Sequence, residues 1–259
     1  MEYFNTTKKF EEKDFIEKNK KLNKEDAKSV LFNVALFLKE YMEVQGLRDY
    51  LDQIIDVVSF FKSNKEFVPE FEHILVDEYQ DVNSMQNELI ELLNAKNLFC
   101  VGDPRQAIFG WRGADVNYIM DFNKKYSNSK TIVLKKNYRS SKQIVDFMNS
   151  LAKDTGMPLL DAEINSSGCL YLYPFESEQD EFAFITNKIL EMDVERNEIF
   201  VLARTNRQLN DLTKVLKAKG INYSLRTDDQ RNPIINKKGE VMLATVHAIK
   251  GMEAKIVFV

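Results

Sequence analysis

Apolar positions recur at helical spacing through the first quarter of the chain and then break into short runs. Val30, Leu31, Val34, Leu36, Phe37, Leu38 and Tyr41 trace one stripe, and Leu51, Ile54, Ile55, Val58 and Phe61 a second. Both predict helices with these stripes turned to a core, so residues 1–70 read as helical. The lysine- and glutamate-rich stretch between residues 8 and 28 predicts a solvated helix surface. From Phe71 the texture changes. Ile74–Val76, Leu98–Val101, Thr131–Leu134, Leu170–Tyr173, Ile199–Leu202, Val241–Ala244 and Ile256–Val259 are short apolar runs, most of them separated by helical patterns. That alternation predicts an α/β protein with parallel sheets. Asn83 or Ser84 opens the helix after the first run. The polar connector KKYSNSK places a domain boundary near residue 125, and Thr227–Lys238 reads as a surface loop.

Four segments place polar residues at or just after the C-terminal end of an apolar run, the edge where open α/β sheets bind ligands. In ILVDEYQD, residues 74–81, the run ends in Asp77-Glu78. Two carboxylates there suit nucleoside triphosphate chemistry: the first holds Mg²⁺ through its waters, and the second polarises an attacking water. The bland alternative is the start of a loop. In VGDPRQAIFGWRGAD, residues 101–115, Gln106, Phe109, Trp111 and Arg112 crowd beside glycines outside any regular apolar period. Aromatics in that setting suit stacking on bases, which works with any sequence; packing under the loop is the alternative. In VLKKNYRSS, residues 133–141, Arg139 offers a planar fork to a phosphate, or is an ordinary surface arginine. In VMLATVHAIKGMEAKIVFV, residues 241–259, Thr245, His247, Lys250 and Glu253 gather around Gly251. His247 alone reads as a turn histidine.

Composition narrows the setting. The chain is 44% hydrophobic and 29% charged, enough for a sizeable core. No long apolar window suits a membrane span, and the acidic N-terminus is unlike a signal peptide. Two histidines cannot assemble a zinc cluster, and Cys100 and Cys169 lie in apolar runs as small buried hydrophobes, which points to a reducing, cytoplasmic setting. The net charge of −4 excludes a grip on nucleic acid by bulk electrostatics. Any such contact must be a local groove with stacking.

Taken together and in order, ILVDEYQD, GDPRQAIFGWRGA, LKKNYRS and ATVHAIKGME resemble motifs II to V of the UvrD/Rep/PcrA family of superfamily 1 helicases, over roughly residues 45–259. VLARTNRQLNDLTKVLKAKGINYSL, residues 201–225, is similar to the family's second motor domain. The resemblance implies two RecA-like P-loop-NTPase-type motor domains with parallel sheets. Residues 1–70 lead into an incomplete first domain at 71–125, and 126–259 form the second, truncated at its C-terminus. It implies an ATP- and Mg²⁺-dependent 3′–5′ translocase on single-stranded DNA, with a role such as DNA repair. By the same resemblance, Asp77 binds Mg²⁺ and Glu78 activates water. Gln80 and Gln106 sense the γ-phosphate and connect it to DNA, Tyr138 stacks on adenine, Arg139 reaches the γ-phosphate and Glu253 lies near the ribose. Phe109, Trp111 and Arg112 engage single-stranded DNA, with Thr245 and His247 on its backbone.

The chain also departs from the pattern. Gly-Lys-Ser and Gly-Lys-Thr occur nowhere in it, and it ends at Val259 before the arginine-bearing sixth motif. Phe109 stands where tyrosine is frequent and Met252 where leucine is usual; the stretch from Arg139 to Thr245 leaves no room for the additional domain of larger members. Two expectations follow: a partial motor, inactive alone, whose missing segments act in cis or in trans, or a degenerate or split product that binds DNA or a partner without hydrolysing ATP.

Overall fold

The structure, a computed structural model, describes residues 25–164, 168–227 and 237–259. The chain divides into two compact units, Met1–Cys169 and Leu170–Val259. The architecture is α/β with small parallel sheets, as the alternation predicts.

In the first unit, α1 (Glu25–Val44) and α2 (Tyr50–Ser63) precede β1 (His73–Val76). The α2 stripe faces inward, with Val58 fully buried. The α1 stripe does not: Val30, Val34, Phe37 and Tyr41 are exposed, and Phe32 and Lys28 are buried instead. This helix is apolar on more than one side, so periodicity does not select the face that packs. Lys28 also corrects the expectation of a solvated surface at that end of the lysine-rich stretch, the rest of which lies outside the described side chains.

Strand β1 pairs in parallel with β2 (Asn97–Cys100), Val76 opposite Cys100. The helix between them, α3 (Ser84–Leu93), opens with a capping box: Asn83 accepts from the Gln86 N–H, and the Gln86 side chain accepts from the Asn83 N–H. One face of this two-stranded sheet is half-buried, and the other exposes Leu75 (74%) and Phe99 (58%). Burial pushes the Cys100 thiol up to about 11. After α4 (Asn117–Met120) and α5 (Phe122–Lys125), a second parallel pair forms from β3 (Lys136–Ser141) and β4 (Asp161–Ile164), with α6 (Lys142–Ala152) packed on both.

The apolar run at 131–134 is therefore not the strand. It lies outside every strand with Ile132 and Leu134 exposed, and the ladder begins at Lys136, where β4 supplies backbone partners. The run Leu170–Tyr173 is likewise exposed and lies outside every strand. Cys169 beside it is exposed rather than buried.

The second unit is a four-stranded parallel sheet in the order β6 (Tyr223–Arg226), β7 (Val241–Thr245), β5 (Ile199–Ala203), β8 (Ile256–Phe258). Its central strands are buried on both faces, as a parallel sheet requires. Ile199, Val201, Val241 and Leu243 pack under α7 (Glu178–Glu191) and α8 (Asn206–Ala218), and Phe200, Met242, Ala244 and Ile249 form the core of the other face. Thr205 and Gln208 close a capping box on α8, which ends at Gly220 in a left-handed conformation. Leu243, fully buried at the centre of β7, carries a prediction. Leu243→Ala is expected to destabilise this unit by about 2–5 kcal/mol, a large part of an ordinary domain's stability. Urea unfolding followed by circular dichroism measures this, and a loss under 1 kcal/mol would contradict a central place for β7. Most of the loop expected at Thr227–Lys238 lies outside the described residues.

Candidate nucleotide and nucleic-acid site

Asp77 and Glu78 follow directly on β1 and are exposed. Glu78 has φ 51°, left-handed backbone that non-glycine residues adopt at a cost, and its N–H donates to Asp77 Oδ1 at 2.8 Å. The next two residues hold it there. Tyr79 is buried: its N–H donates to the Val101 carbonyl at 2.9 Å, its hydroxyl donates to Asn87 Oδ1 at 2.9 Å, and its ring meets Phe122 edge-on. Desolvation pushes its hydroxyl far above the ordinary tyrosine range. Asn87 donates in turn to Glu91, which also takes Lys125.

Gln80 is fully buried and uses both ends of its amide. Its Nε2 donates to Glu78 Oε2, and its Oε1 accepts the Asp103 N–H at 2.9 Å. A Cβ at Gly102 would lie 2.8 Å from Ile119 Cδ1 and closer still to Gln80 Oε1, so a side chain here would displace the Gln80 amide. Asp103 accepts from the Arg105 N–H at 3.0 Å, Arg105 Nη1 at 3.4 Å and Gln106 Nε2 at 3.2 Å. Glu78, Gln80, Asp103 and Gln106 are thus one hydrogen-bonded chain, assembled by the β1–β2 register. Asp103 and Arg105 were not among the residues singled out by sequence. The available signal was Gly-Asp-Pro, an aspartate capping a short 3₁₀ turn (Pro104–Gln106).

Beyond Gln106 the loop carries its aromatics. The Arg112 guanidinium carbon sits 5.1 Å from the Phe109 ring centroid and 4.5 Å from that of Trp111. Phe109 is half-buried and Trp111 is 47% exposed. The loop's far end is fixed by the Asp115 N–H to the Val82 carbonyl at 3.1 Å and an Asn83–Ala114 bridge. Two rings and a guanidinium gathered at the surface can receive a base or a phosphate.

Tyr138 and Arg139 lie within β3, not after it. The Asn137 side chain accepts from the N–H groups of Arg139 (3.0 Å) and Ser140 (2.8 Å), diverting them from the ladder. The register shifts there, between Asn137 and Ser141, and both side chains are exposed.

In the second unit, Thr245 is buried at the end of β7 and its hydroxyl accepts the Ala248 N–H at 3.1 Å, so it caps the following turn. His247 Nε2 lies 3.0 Å from Arg204 Nη1. Because arginine only donates, Nε2 is the accepting nitrogen. Arg226 Nε donates to the Ala248 carbonyl at 3.2 Å, and Glu253 is exposed beyond the turn. Arg204 and Arg226 were not singled out either; each stands at or just after a strand's C-terminal end.

Asp77 and Glu78 present only oxygen donors, which fits Mg²⁺ held largely by waters and phosphates. Among the described residues, no group of three His, Cys, Asp or Glu forms a closed metal cage.

Two family models match the chain in order: the UvrD/REP helicase N-terminal domain over residues 1–127 and the UvrD-like helicase C-terminal domain over residues 132–231. A probable DNA helicase II homolog of Mycoplasma capricolum is 38% identical over 190 residues, covering 68% of this chain and 26% of that protein. The ATP-dependent DNA helicase PcrA of Leuconostoc citreum is 33% identical over 190 residues, covering 68% and 25%. PcrA of Staphylococcus aureus is 35% identical over 192 residues, covering 68% and 26%. The chain spans about a quarter of the length of these relatives. With both domain models matched in sequence order over parallel α/β sheets, the chain belongs to the UvrD/Rep helicase family.

Proposed function

We propose that this chain is the central part of a UvrD/Rep-type motor that moves 3′ to 5′ on single-stranded DNA and couples ATP hydrolysis to strand separation. The observation that carries this is the hydrogen-bonded chain from Glu78 through Gln80 and Asp103 to Gln106, which continues directly into the loop bearing Phe109 and Trp111. A carboxylate and an aromatic surface on one connected backbone can exchange conformational information. ATP with Mg²⁺ supplies the transferable phosphoryl group. Asp77 fits the metal through its waters, and Glu78 takes the proton of the attacking water. Gln80 and Gln106 carry changes at that carboxylate toward the loop. Arg139 neutralises charge on the γ-phosphate, Tyr138 stacks on adenine, and Glu253 approaches the ribose. His247, backed by Arg204, faces the DNA backbone, and Thr245 holds that turn in shape.

The names of the relatives support ATP and DNA as ligands. The gap between the two family models, residues 127 to 132, supports a motor-domain boundary near residue 125, although the two compact units divide after Cys169. The partners on this reading are single-stranded DNA, or DNA with a single-stranded tail, and the remaining motor segments in cis or in trans. The setting is cytoplasmic, with DNA repair as one pathway; no described helix is long and apolar enough to cross a membrane. A second reading, a DNA- or partner-binding module that does not hydrolyse ATP, is favoured by the lack of any Gly-Lys-Ser or Gly-Lys-Thr.

DNA binding is tested on the 259-residue chain, whose single tryptophan is Trp111. Oligothymidylate is expected to quench its fluorescence. Each stacked base is worth about 1–3 kcal/mol, so Trp111→Ala should weaken binding several-fold to a hundredfold without changing base preference. An unchanged emission spectrum at saturating DNA would remove Trp111 from the interface.

A further inference from the structure

Arg105 is partly buried, its side chain 14% exposed, and lies two residues after Gln80's partner Asp103, ahead of the aromatic loop. One guanidinium nitrogen, Nη1, donates to Asp103 Oδ1 at 3.4 Å, while Nη2 donates to the backbone carbonyl of Pro158. Pro158 lies in the stretch matched by the C-terminal family model, and Arg105 in the stretch matched by the N-terminal one. The segment it reaches is itself fastened. Asn149 of α6 donates to the Leu160 carbonyl at 2.8 Å and accepts the Leu160 N–H at 2.9 Å, and the Asp161 N–H donates to the Lys135 carbonyl at 2.8 Å. Helix α6 follows directly on β3, the strand of Tyr138 and Arg139.

We propose that Arg105 is a positioning residue: its two-pronged bond to Asp103 and to the Pro158 carbonyl latches the 103–112 loop onto the α6–β4 segment, setting the aromatic surface against the strand that carries Arg139. The part of this that concerns DNA rests on the reading of Phe109 and Trp111 as a stacking surface; the latch does not. Arginine suits the task because its fork is planar and rigid, so two acceptors in different directions are met by one side chain. A lysine ammonium is a point donor on a flexible stem and meets one acceptor or the other. A latch between protein groups also differs from a phosphate contact. A lysine or arginine on a phosphate releases counterions, and its loss lowers the salt slope of binding by about one.

The test compares the 259-residue chain with R105A and R105K. Oligothymidylate binding is followed by Trp111 fluorescence across a salt series, and backbone hydrogen exchange is followed by mass spectrometry. Both variants are expected to bind about tenfold more weakly, the weight of one hydrogen bond from a charged donor, with the salt slope unchanged. Exchange at Leu160 and Asp161 should rise about tenfold in both variants, because R105K keeps charge and bulk but not the fork. Wild-type affinity in R105K together with a shallower slope in R105A would make Arg105 a phosphate contact and overturn the proposal. Unchanged exchange at Leu160 and Asp161 in both variants would overturn the latch whatever DNA does. A wild-type chain that shows no quenching would sink the DNA reading alone, and the exchange result would still decide the latch.

Discussion

In a motor made by joining this chain to the flanking N- and C-terminal segments of a PcrA relative, Arg139→Ala is expected to lower DNA-stimulated ATP turnover at least a hundredfold, with folding and ATP binding little changed. Arginines that reach a γ-phosphate are worth about 10³–10⁵ in kcat. A surface arginine paired with a carboxylate is worth about 1 kcal/mol or less. The two roles differ by orders of magnitude, so one comparison separates them. The backbone supports the larger effect. Asn137 takes the Arg139 and Ser140 N–H groups, the β3–β4 register shifts, and the exposed side chains of Tyr138 (67%) and Arg139 are turned out of the ladder. Turnover within threefold of wild type would take Arg139 out of the mechanism and leave the β3 bulge without a chemical purpose.

The 259-residue chain by itself is expected to show no DNA-stimulated ATP hydrolysis above buffer. Phosphate binding in such motors needs a loop of backbone N–H groups and a lysine, and no Gly-Lys-Ser or Gly-Lys-Thr is present to build one. The first sheet points the same way. Its two parallel strands leave Leu75 and Phe99 uncovered, and a parallel pair exposed on one face is marginal alone. Amide exchange in β1 and β2 should accordingly be faster than in β5 and β7, whose residues fill the second unit's core. Steady-state hydrolysis of ATP with single-stranded DNA, measured by phosphate release, decides the matter. A rate close to that of intact relatives would show that the chain cradles phosphate by other residues.

Local chemistry was readable from the order of residues alone. The ends of the apolar runs at Val76, Val101 and Ala244 mark where Asp77-Glu78, Gly102-Asp103 and Thr245 stand, at or just after the ends of β1, β2 and β7. The Asn83 cap, the inward face of α2 and the parallel character of the sheets follow from the same short-range rules. Strand pairing is not short-range. Thr131–Leu134 and Leu170–Tyr173 are as apolar as the true strands yet lie outside every strand, whereas Asp161–Ile164 and Tyr223–Arg226 are less apolar and become strands because a neighbour supplies their backbone partners. The α1 face was undecidable for a related reason: a helix apolar on more than one side is oriented by what it packs against.

The site divides along the same line. Residue types and spacing by themselves determined that Asp77-Glu78, Gly102-Asp103 and Thr245 would stand at or just after strand ends, whereas Arg139, expected after a strand, lies within β3. Only the tertiary structure decided that Gln80 is buried and bonded to Asp103, that Thr245 caps a turn, that Arg204 backs His247, and that Asp103 and Arg105 join Glu78 to Pro158. Three of these rest on hydrogen bonds between residues far apart in the chain, Gln80 to Asp103, His247 to Arg204 and Arg105 to Pro158, while the Thr245 cap is local. Sequence order sets which groups are available for such bonds, while the register of distant strands sets which of them come within reach.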